Sequence, residues 1–286
     1  MCRLFGMSAG AQRAKATFWL LDAPDSLSRQ SRREPDGTGL GWFDRDGRPQ
    51  IRKQPVAAFE DRAFAREARA VDSGNFVAHV RFASTGSLEP QNTHPFEQQG
   101  RLFAHNGVIE DLPQLEARLG ADLRLVGGDT DSERFFALIT REIDAHGGDV
   151  EAGVRAACCW VAANLPIFAI NFVLATADTL WALRYPDTHE LHVLERSPGT
   201  ALEHSSDLGS RVHSEHGAEQ ALVVVASEPM DTDPGWRLLL PGELLRVSAE
   251  LQVSSSTILD GPPAHALALA DLGARAQSSQ APASHR

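Results

Sequence analysis

The sequence places a cysteine, Cys2, directly after the initiator methionine. Only the thiolate of a cysteine attacks well, and an ordinary thiol pKa near ~8.5 leaves most of it protonated at neutral pH. Removal of Met1, which a small second residue permits, would leave a free α-amino group on Cys2. Because an α-amine has a pKa of roughly 7.7–8.0, its neutral form could accept the thiol proton. Cys2 could therefore be both nucleophile and base, or simply a small buried residue.

Two further segments carry groups that could bind or activate a substrate. Arg81 ends an apolar run, and small and hydroxyl residues follow it. Its planar guanidinium suits a carboxylate, although a lone arginine is usually an exposed partner in a surface ion pair. His94, in the polar segment Asn92-Thr93-His94-Pro95, is either an alternative base or a hydrogen-bonded structural histidine.

Two polar segments could stabilise charge on a substrate. Asn106 offers a side-chain N–H, and Gly107 leaves its backbone N–H unshielded, so the pair could form an oxyanion hole or simply a tight turn. Asp131 stands at the start of a predicted helix, where it could cap the helix or receive an ammonium group. Arg81 and Asp131 together would clamp a substrate that has an α-carboxylate and an α-ammonium.

The order of these segments resembles the class-II glutamine amidotransferase domain, especially the stand-alone bacterial members that begin Met-Cys-x-Leu-x-Gly-Met-Ser-Ala. The matching segments are Cys2, His-x-Arg-x-Ala-Ser at 79–84, Asn-Thr-His-Pro at 92–95, His-Asn-Gly at 105–107 and Thr-Asp-Ser-Glu at 130–133. Arg33-x-x-Asp36-x-x-Gly39 also matches a family segment, with Glu34 in place of its usual glycine. The resemblance covers roughly residues 2–248.

The resemblance implies a role for each matched residue. Cys2 would attack a γ-glutamyl amide to give a thioester, and Asn106 and Gly107 would hold the oxyanion. Arg81 and Asp131 would bind the α-carboxylate and α-ammonium of the substrate. The remaining matched residues are Phe82 and Ser84, which would line the pocket, and Arg33, which would support the surroundings of the nucleophile. The implied reaction needs no metal or organic cofactor.

The elements that must position these residues are strands, then helices, then strands again. Apolar runs predict strands over 2–9, 75–83 and 101–104, and apolar spacing predicts a long helix from Thr130 and a second from about Val150. Further strand-like runs follow residue 166. This order favours an α+β fold with antiparallel sheets. The resemblance implies a four-layer αββα sandwich of two antiparallel sheets, the fold of the N-terminal-nucleophile (Ntn) hydrolases.

The domain prediction is one Ntn-hydrolase domain over 2–252, followed by a weakly ordered tail over 253–286 that is rich in Ala, Ser and Pro. Because few residues follow 248, we expect no second, synthase domain in this chain. Either a separate chain accepts the ammonia, or the enzyme hydrolyses a small γ-glutamyl compound. A relative in ergothioneine synthesis does the latter on a γ-glutamyl-cysteine type of conjugate.

Composition and charge argue against several other classes of protein. The 286 residues are 42% hydrophobic and 23% charged, with a net charge of −11, which argues against a nucleic-acid partner. No signal-peptide pattern or membrane-length apolar run is visible, so we expect a cytoplasmic protein. His204, His213 and His216 fall in a polar segment that we interpret as a solvated loop, and no metal site is expected.

Two alternatives remain open. The chain could be a non-catalytic or partner-dependent subunit of an amidotransferase complex, although such a module would not need all five of the residues listed here: Cys2, Arg81, Asn106, Gly107 and Asp131. It could also be a cysteine-type Ntn hydrolase of a non-glutamyl amide. Such an enzyme would not need Arg81 and Asp131 to hold an amino acid.

Overall fold

The computed structural model describes residues 2–82, 87–199, 203–205, 211–213 and 220–280. Within these ranges the strands form two sheets of seven strands and a separate two-stranded hairpin, β10 (Glu203–Ser205) with β11 (Arg211–His213). His216 and Ser84 lie outside the described residues. The two large sheets carry the site.

The first sheet has β1 (Arg3–Ser8), the strand that directly follows Cys2, at its centre, and all its pairings are antiparallel. In spatial order its strands are β13 (Arg237–Leu238), β9 (His192–Arg196), β12 (Leu222–Ala226), β1 (Arg3–Ser8), β4 (Asn75–Arg81), β2 (Gly37–Phe43) and β3 (Pro49–Gln54). Every residue of β1 is buried. Pairing on both sides ties down an N-terminal segment that would otherwise fray.

The second sheet is built around the long strands β6 and β7. In spatial order its strands are β15 (Val253–Thr257), β14 (Glu243–Val247), β8 (Leu180–Leu183), β7 (Pro166–Ala175), β6 (Arg101–Ile109) and β5 (Phe96–Gln98). These six pair antiparallel, and β16 (His265–Ala266) adds a short parallel pairing to β7.

Helices cover the outer face of each sheet. The α-helices are α1 (Leu27–Gln30), α2 (Arg62–Ala70), α3 (Leu112–Leu119), α4 (Asp131–Ala145), α5 (Val150–Asn164) and α6 (Ala274–Gln280). A single π turn spans Phe18–Asp22, and 3-10 turns span Pro90–Asn92, Gly120–Leu125 and Leu269–Asp271. The long helix that was expected to begin at Thr130 is α4, and the second is α5.

Three large apolar cores separate the four layers. One lies between the first sheet and its helices and includes Phe5 and Met7. The second lies between the two sheets and includes Leu4, and the third packs α4 and α5 against the second sheet. Because strand side chains alternate between faces, Leu4 and Phe5 fall in different cores. The predicted αββα sandwich with two antiparallel sheets is confirmed.

The predicted weakly ordered tail from residue 253 is wrong as far as residue 280. Residues 253–257 form β15 against β14, and residues 265–266 pair with β7. Leu272 is buried and packs against Val108 and Phe168. Composition misled here because this segment contributes only a few apolar anchors and gains its order from sheet edges that are already in place.

Candidate active site

Cys2 lies at the start of β1, beside the end of β4. Its Sγ accepts a hydrogen bond from the backbone N–H of Phe82 at 3.3 Å, and its S–H reaches the Phe82 carbonyl oxygen at 3.4 Å. Burial raises the pKa of the Cys2 thiol to about 11. The charge of Glu34 also raises this pKa, whereas the hydrogen bond from the Phe82 N–H and the charge of Arg81 lower it. A thiol with this pKa is protonated at neutral pH, so attack requires a base.

The thiol opens onto a small cleft. The lining residues come from both sheets and from the start of α4: Cys2, Arg81, Phe82, His94, His105, Gly107, Thr130, Asp131 and Ser132. The structure therefore brings together four of the five residues that define the sequence motif, and the fifth, Asn106, contacts Cys2 directly.

Asn106 and Gly107 lie within β6, opposite Asn171 and Ile170 of β7. The interpretation of Asn-Gly as a tight turn is therefore wrong. The Asn106 side-chain amide donates a hydrogen bond to the Cys2 carbonyl oxygen at 3.1 Å, which links the second sheet to Cys2.

Gly107 has no room for a side chain. A Cβ at this position would lie 1.8 Å from the Ala169 carbonyl oxygen, well inside any allowed contact. The sheet therefore requires glycine here, and the glycine leaves the backbone of β6 open to the cleft. Gly39 in β2 is required for the same reason, because its Cβ would lie 1.9 Å from the carbonyl oxygen of His94.

Arg81 is the last residue of β4 and is 4% exposed. Val77 of the same strand lies in the core between the sheets, and strand alternation places Arg81 on that same face. Its Nη1 donates to the Ser87 carbonyl oxygen at 3.1 Å. Burial lowers the pKa of the Arg81 guanidinium, whereas nearby negative groups, Asp131 among them, raise it. The side chain remains charged, because arginine is not deprotonated in proteins. The cleft therefore contains a fixed cation facing an acidic residue.

Asp131 is the first residue of α4, but the helix cap is Thr130, whose Oγ accepts from the Glu133 N–H at 3.2 Å. Asp131 instead accepts from the Ile109 N–H through Oδ2 at 2.9 Å and from the Ser132 hydroxyl through Oδ1 at 3.4 Å. An ionised carboxylate has about four acceptor sites, and a helix N-terminus favours negative charge. Asp131 therefore places a carboxylate on the wall of the cleft.

Two buried histidines, His94 and His105, line the cleft, and a third, His79, packs against His94. The rings of His79 and His94 lie 4.3 Å apart, and His105 Nδ1 lies 2.9 Å from the Ser132 hydroxyl. Burial lowers the pKa of His79 to about 3 and that of His94 well below its usual value, with further lowering by positive neighbours. Burial also lowers the pKa of His105, which Asp131 opposes. These side chains are neutral at neutral pH.

The structure places the remaining predicted residues less centrally. Phe82 contacts the thiol through its backbone, a contact that a side-chain pattern does not indicate. Arg33 does not line the cleft: its side chain is 43% exposed and pairs with Asp25 at 3.2 Å and Glu228 at 2.7 Å. It reaches Cys2 indirectly, since Glu228 also pairs with Arg3 at 2.7 Å. Ser84 lies outside the described residues, so its predicted place in the pocket stays a prediction.

Sequence reasoning missed the cleft-lining roles of His105, Thr130 and Ser132. All three stand inside motifs that the sequence singled out, directly beside Asn106 or Asp131, and that adjacency was the available signal. In the described ranges no three His, Cys, Asp or Glu side chains are grouped so as to hold a metal ion. Nor does any described helix have the length and apolar character needed to cross a bilayer.

Comparison with known proteins agrees with this fold. A family profile described as class-II glutamine amidotransferases matches residues 1–263. The gamma-glutamyl-hercynylcysteine sulfoxide hydrolase of Mycobacterium tuberculosis strain H37Rv is 32% identical over 250 residues, covering 82% of this chain and 88% of the relative.

Two solved structures show the same fold. A glutamine aminotransferase class-II domain protein from Silicibacter pomeroyi superposes with a TM-score of 0.61 at 23% identity, covering 92% of this chain and 100% of that one. Glutamine phosphoribosylpyrophosphate amidotransferase from Bacillus subtilis gives a TM-score of 0.65 at 19% identity, covering 91% of this chain and 50% of that one.

The chain is thus an Ntn-type αββα protein with a cysteine at the head of its central strand. It belongs to the class-II glutamine amidotransferases, a family of enzymes.

Proposed function

We propose that this enzyme hydrolyses a γ-glutamyl amide with Cys2 as an N-terminal nucleophile, after removal of Met1. The observation that supports this most is that Cys2, Arg81, Gly107 and Asp131 line one cleft. A γ-glutamyl group has an α-carboxylate, an α-ammonium and a scissile carbonyl, and the cleft has a complementary group for each.

Substrate binding would use the two opposite charges of the cleft. Arg81 would pair with the α-carboxylate and Asp131 with the α-ammonium. A buried pair of this kind contributes more than an exposed one, because the low local dielectric strengthens each charge-assisted hydrogen bond. The same two contacts fix the γ-carbonyl of the substrate next to the thiol, since the glutamyl chain has a set length.

The first chemical step would be thiol attack. The neutral α-amine of Cys2 takes the thiol proton, and Sγ forms a bond to the γ-carbonyl carbon. The carbonyl oxygen becomes an oxyanion, which the Asn106 side-chain N–H and the Gly107 backbone N–H would stabilise. The resulting α-ammonium then gives its proton to the leaving nitrogen as the C–N bond breaks, which leaves a γ-glutamyl thioester.

The second step would be hydrolysis of that thioester. The α-amine removes a proton from water, and the hydroxide attacks the same carbon. A second oxyanion forms, which the same two N–H groups would stabilise, and the C–S bond then breaks. The proton returns to the departing sulfur, and glutamate is released. Both steps use only groups of this chain and water.

The leaving group is the finer part of the proposal. The hydrolase relative from M. tuberculosis acts, by its name, on a γ-glutamyl conjugate of a cysteine derivative. A γ-glutamyl conjugate of a small amine is therefore the first substrate class that we propose. Glutamine, with ammonia passed to a separate synthase chain, is the second.

The test is the intact mass of the purified protein before and after incubation with 6-diazo-5-oxo-norleucine, a glutamine-like alkylating agent. We expect a starting mass that lacks Met1, then one adduct, and no adduct in Cys2→Ala. A matched control is Cys159→Ala, which removes an exposed thiol and should leave the adduct in place. A mature protein that takes no adduct, yet cleaves a bulky non-glutamyl amide, would overturn the proposal.

A further inference from the structure

A buried carboxylate stands behind the nucleophile, on the side away from the cleft. Glu34 lies in the loop between α1 and β2 and is 2% exposed. It occupies the position where the matched family segment usually has glycine. Its charge raises the pKa of the Cys2 thiol, so the two groups are electrostatic neighbours.

Arg3 connects this carboxylate to the nucleophile. Its Nη1 donates to the Cys2 carbonyl oxygen at 3.4 Å and lies 3.8 Å from Glu34 Oε1. One guanidinium nitrogen thus touches both the backbone of Cys2 and the acidic group. Asn106 donates to the same carbonyl oxygen at 3.1 Å. The backbone of Cys2 is therefore held from both sheets, with Glu34 next to it.

Arg3 pairs with a second carboxylate as well, since Glu228 Oε1 accepts from Arg3 Nε at 2.7 Å. The side chain of Glu34 also interacts with the chain's amino terminus, through a hydrogen bond and through charge. Burial raises the pKa of Glu34, and the positive charges of the chain's amino terminus, Arg3 and Arg33 oppose that rise.

We propose that Glu34 is a positioning residue for the base: its carboxylate accepts a hydrogen bond from the α-amine of mature Cys2, while Arg3 holds the carboxylate in place. This rests on the proposed function, in which that amine is the base. A neutral amine has two N–H groups and one lone pair. If one N–H is directed to Glu34, rotation about the N–Cα bond is restricted and the lone pair can face the thiol.

The proposal has a consequence for the pH dependence. The charged groups that face the amine and the thiol are Glu34, Arg3 and Arg81, with Arg33 and Glu228 behind them. A negative neighbour stabilises the ammonium form and raises the amine pKa. Glu34→Gln keeps the shape and an acceptor oxygen but loses the charge, so the amine pKa falls. The acidic limb of the reaction then moves to lower pH, by about one unit for a close charge.

The experiment measures the rate of 6-diazo-5-oxo-norleucine labelling by intact mass between about pH 5 and pH 9, which brackets the ordinary α-amine pKa. The proteins are full-length wild type, Glu34→Gln, Glu34→Ala and the control Glu60→Gln, which removes an exposed carboxylate. We expect the acidic limb of Glu34→Gln to move down and Glu60→Gln to superpose on wild type. Glu34→Ala also loses the acceptor, and its maximal rate should fall about tenfold to a hundredfold.

Overlap of the Glu34→Gln and wild-type profiles would overturn the proposal. A slow Glu34→Ala beside an unshifted Glu34→Gln would likewise overturn it, because that combination indicates packing alone. Absence of labelling in wild type and Glu60→Gln, together with cleavage of a bulky non-glutamyl amide, would instead overturn the proposed function itself. Intact masses of all four proteins verify that each lacks Met1, so a processing defect is not mistaken for a change in the base.

Discussion

The two sheets contribute to the cleft in different ways. The first sheet supplies charge and the proposed nucleophile from strand ends: Cys2 directly precedes β1, and Arg81 ends β4. The second sheet supplies neutral donors from the interior of a strand, at Asn106 and Gly107 in β6. A strand end can carry a long charged side chain into a cleft, whereas a strand interior exposes its backbone only where glycine removes the side chain.

This difference predicts different kinetic effects. Groups of the second sheet would act on the oxyanion, which exists only along the reaction path, so their loss should lower kcat. Arg81 of the first sheet would hold the substrate before and during reaction, so its loss should raise KM.

The largest expected effect is that of Asn106→Ala. Loss of one oxyanion donor should lower kcat for γ-glutamyl amide hydrolysis by roughly 10²–10³-fold with little change in KM. Steady-state kinetics on glutamine or γ-glutamyl-p-nitroanilide measures this. Asn164→Ala, in α5, is the matched control and should behave as wild type. A rise in KM with unchanged kcat would place Asn106 in substrate binding and remove the contrast between the sheets.

The next effect is that of Arg81→Gln. Loss of a charged hydrogen-bond partner is worth about 1.5–3 kcal/mol, so KM should rise by roughly tenfold to a hundredfold. Arg48→Gln, which removes an exposed guanidinium on the β2–β3 turn, is the control. If Arg81→Gln lowers kcat and leaves KM unchanged, Arg81 acts on the transition state and not on the α-carboxylate.

A smaller effect tests whether the segment after residue 260 stabilises the fold. Leu272 packs beside Val108, the residue after Gly107, so Leu272→Ala should lower the free energy of unfolding by about 2 kcal/mol. Urea denaturation followed by fluorescence measures the change. Leu240→Ala, which truncates a side chain that is 66% exposed, should leave the midpoint unchanged. Equal midpoints for both variants would mean that residues after 260 do not stabilise the fold.

The last prediction concerns the pH dependence of the free energy of unfolding, which depends on the three buried histidines near the cleft. The folded pKa of His79 is about 3, against an ordinary value of 6.5. Between these values the unfolded state binds one more proton, so stability is full above about pH 6.5 and falls as the pH drops. The expected slope is about 1.4 kcal/mol per pH unit for this residue, and His94 and His105 add to it in the same direction.

Thermal unfolding from pH 7 downward measures this slope, and His79→Gln should reduce it. A stability that does not change with pH in this window would show that the histidines are hydrated or paired when folded.

The strands and most of the cleft could be predicted from the sequence, whereas the place of Asn106 and Gly107 could not. Apolar runs predicted β1 and β4, and the joint order of motifs led to the fold and to most of the cleft. The pattern failed for Asn106-Gly107, which has the composition of a turn but lies in β6. It failed because the register with β7, not the local sequence, decides whether an Asn-Gly pair turns.

The sequence by itself determined which chemical groups are available: a cysteine at position 2, an arginine that ends an apolar strand, an acidic residue at a helix start. Those properties are local, since periodicity and residue type specify strands, helix starts and side-chain chemistry within a few positions. Only the tertiary structure decided which groups meet. It directed Asp131 to β6 because Thr130 caps the helix, kept Arg33 out of the cleft, and placed the buried Glu34 behind the nucleophile. Such meetings depend on contacts between residues far apart in the chain, and no short window of sequence contains them.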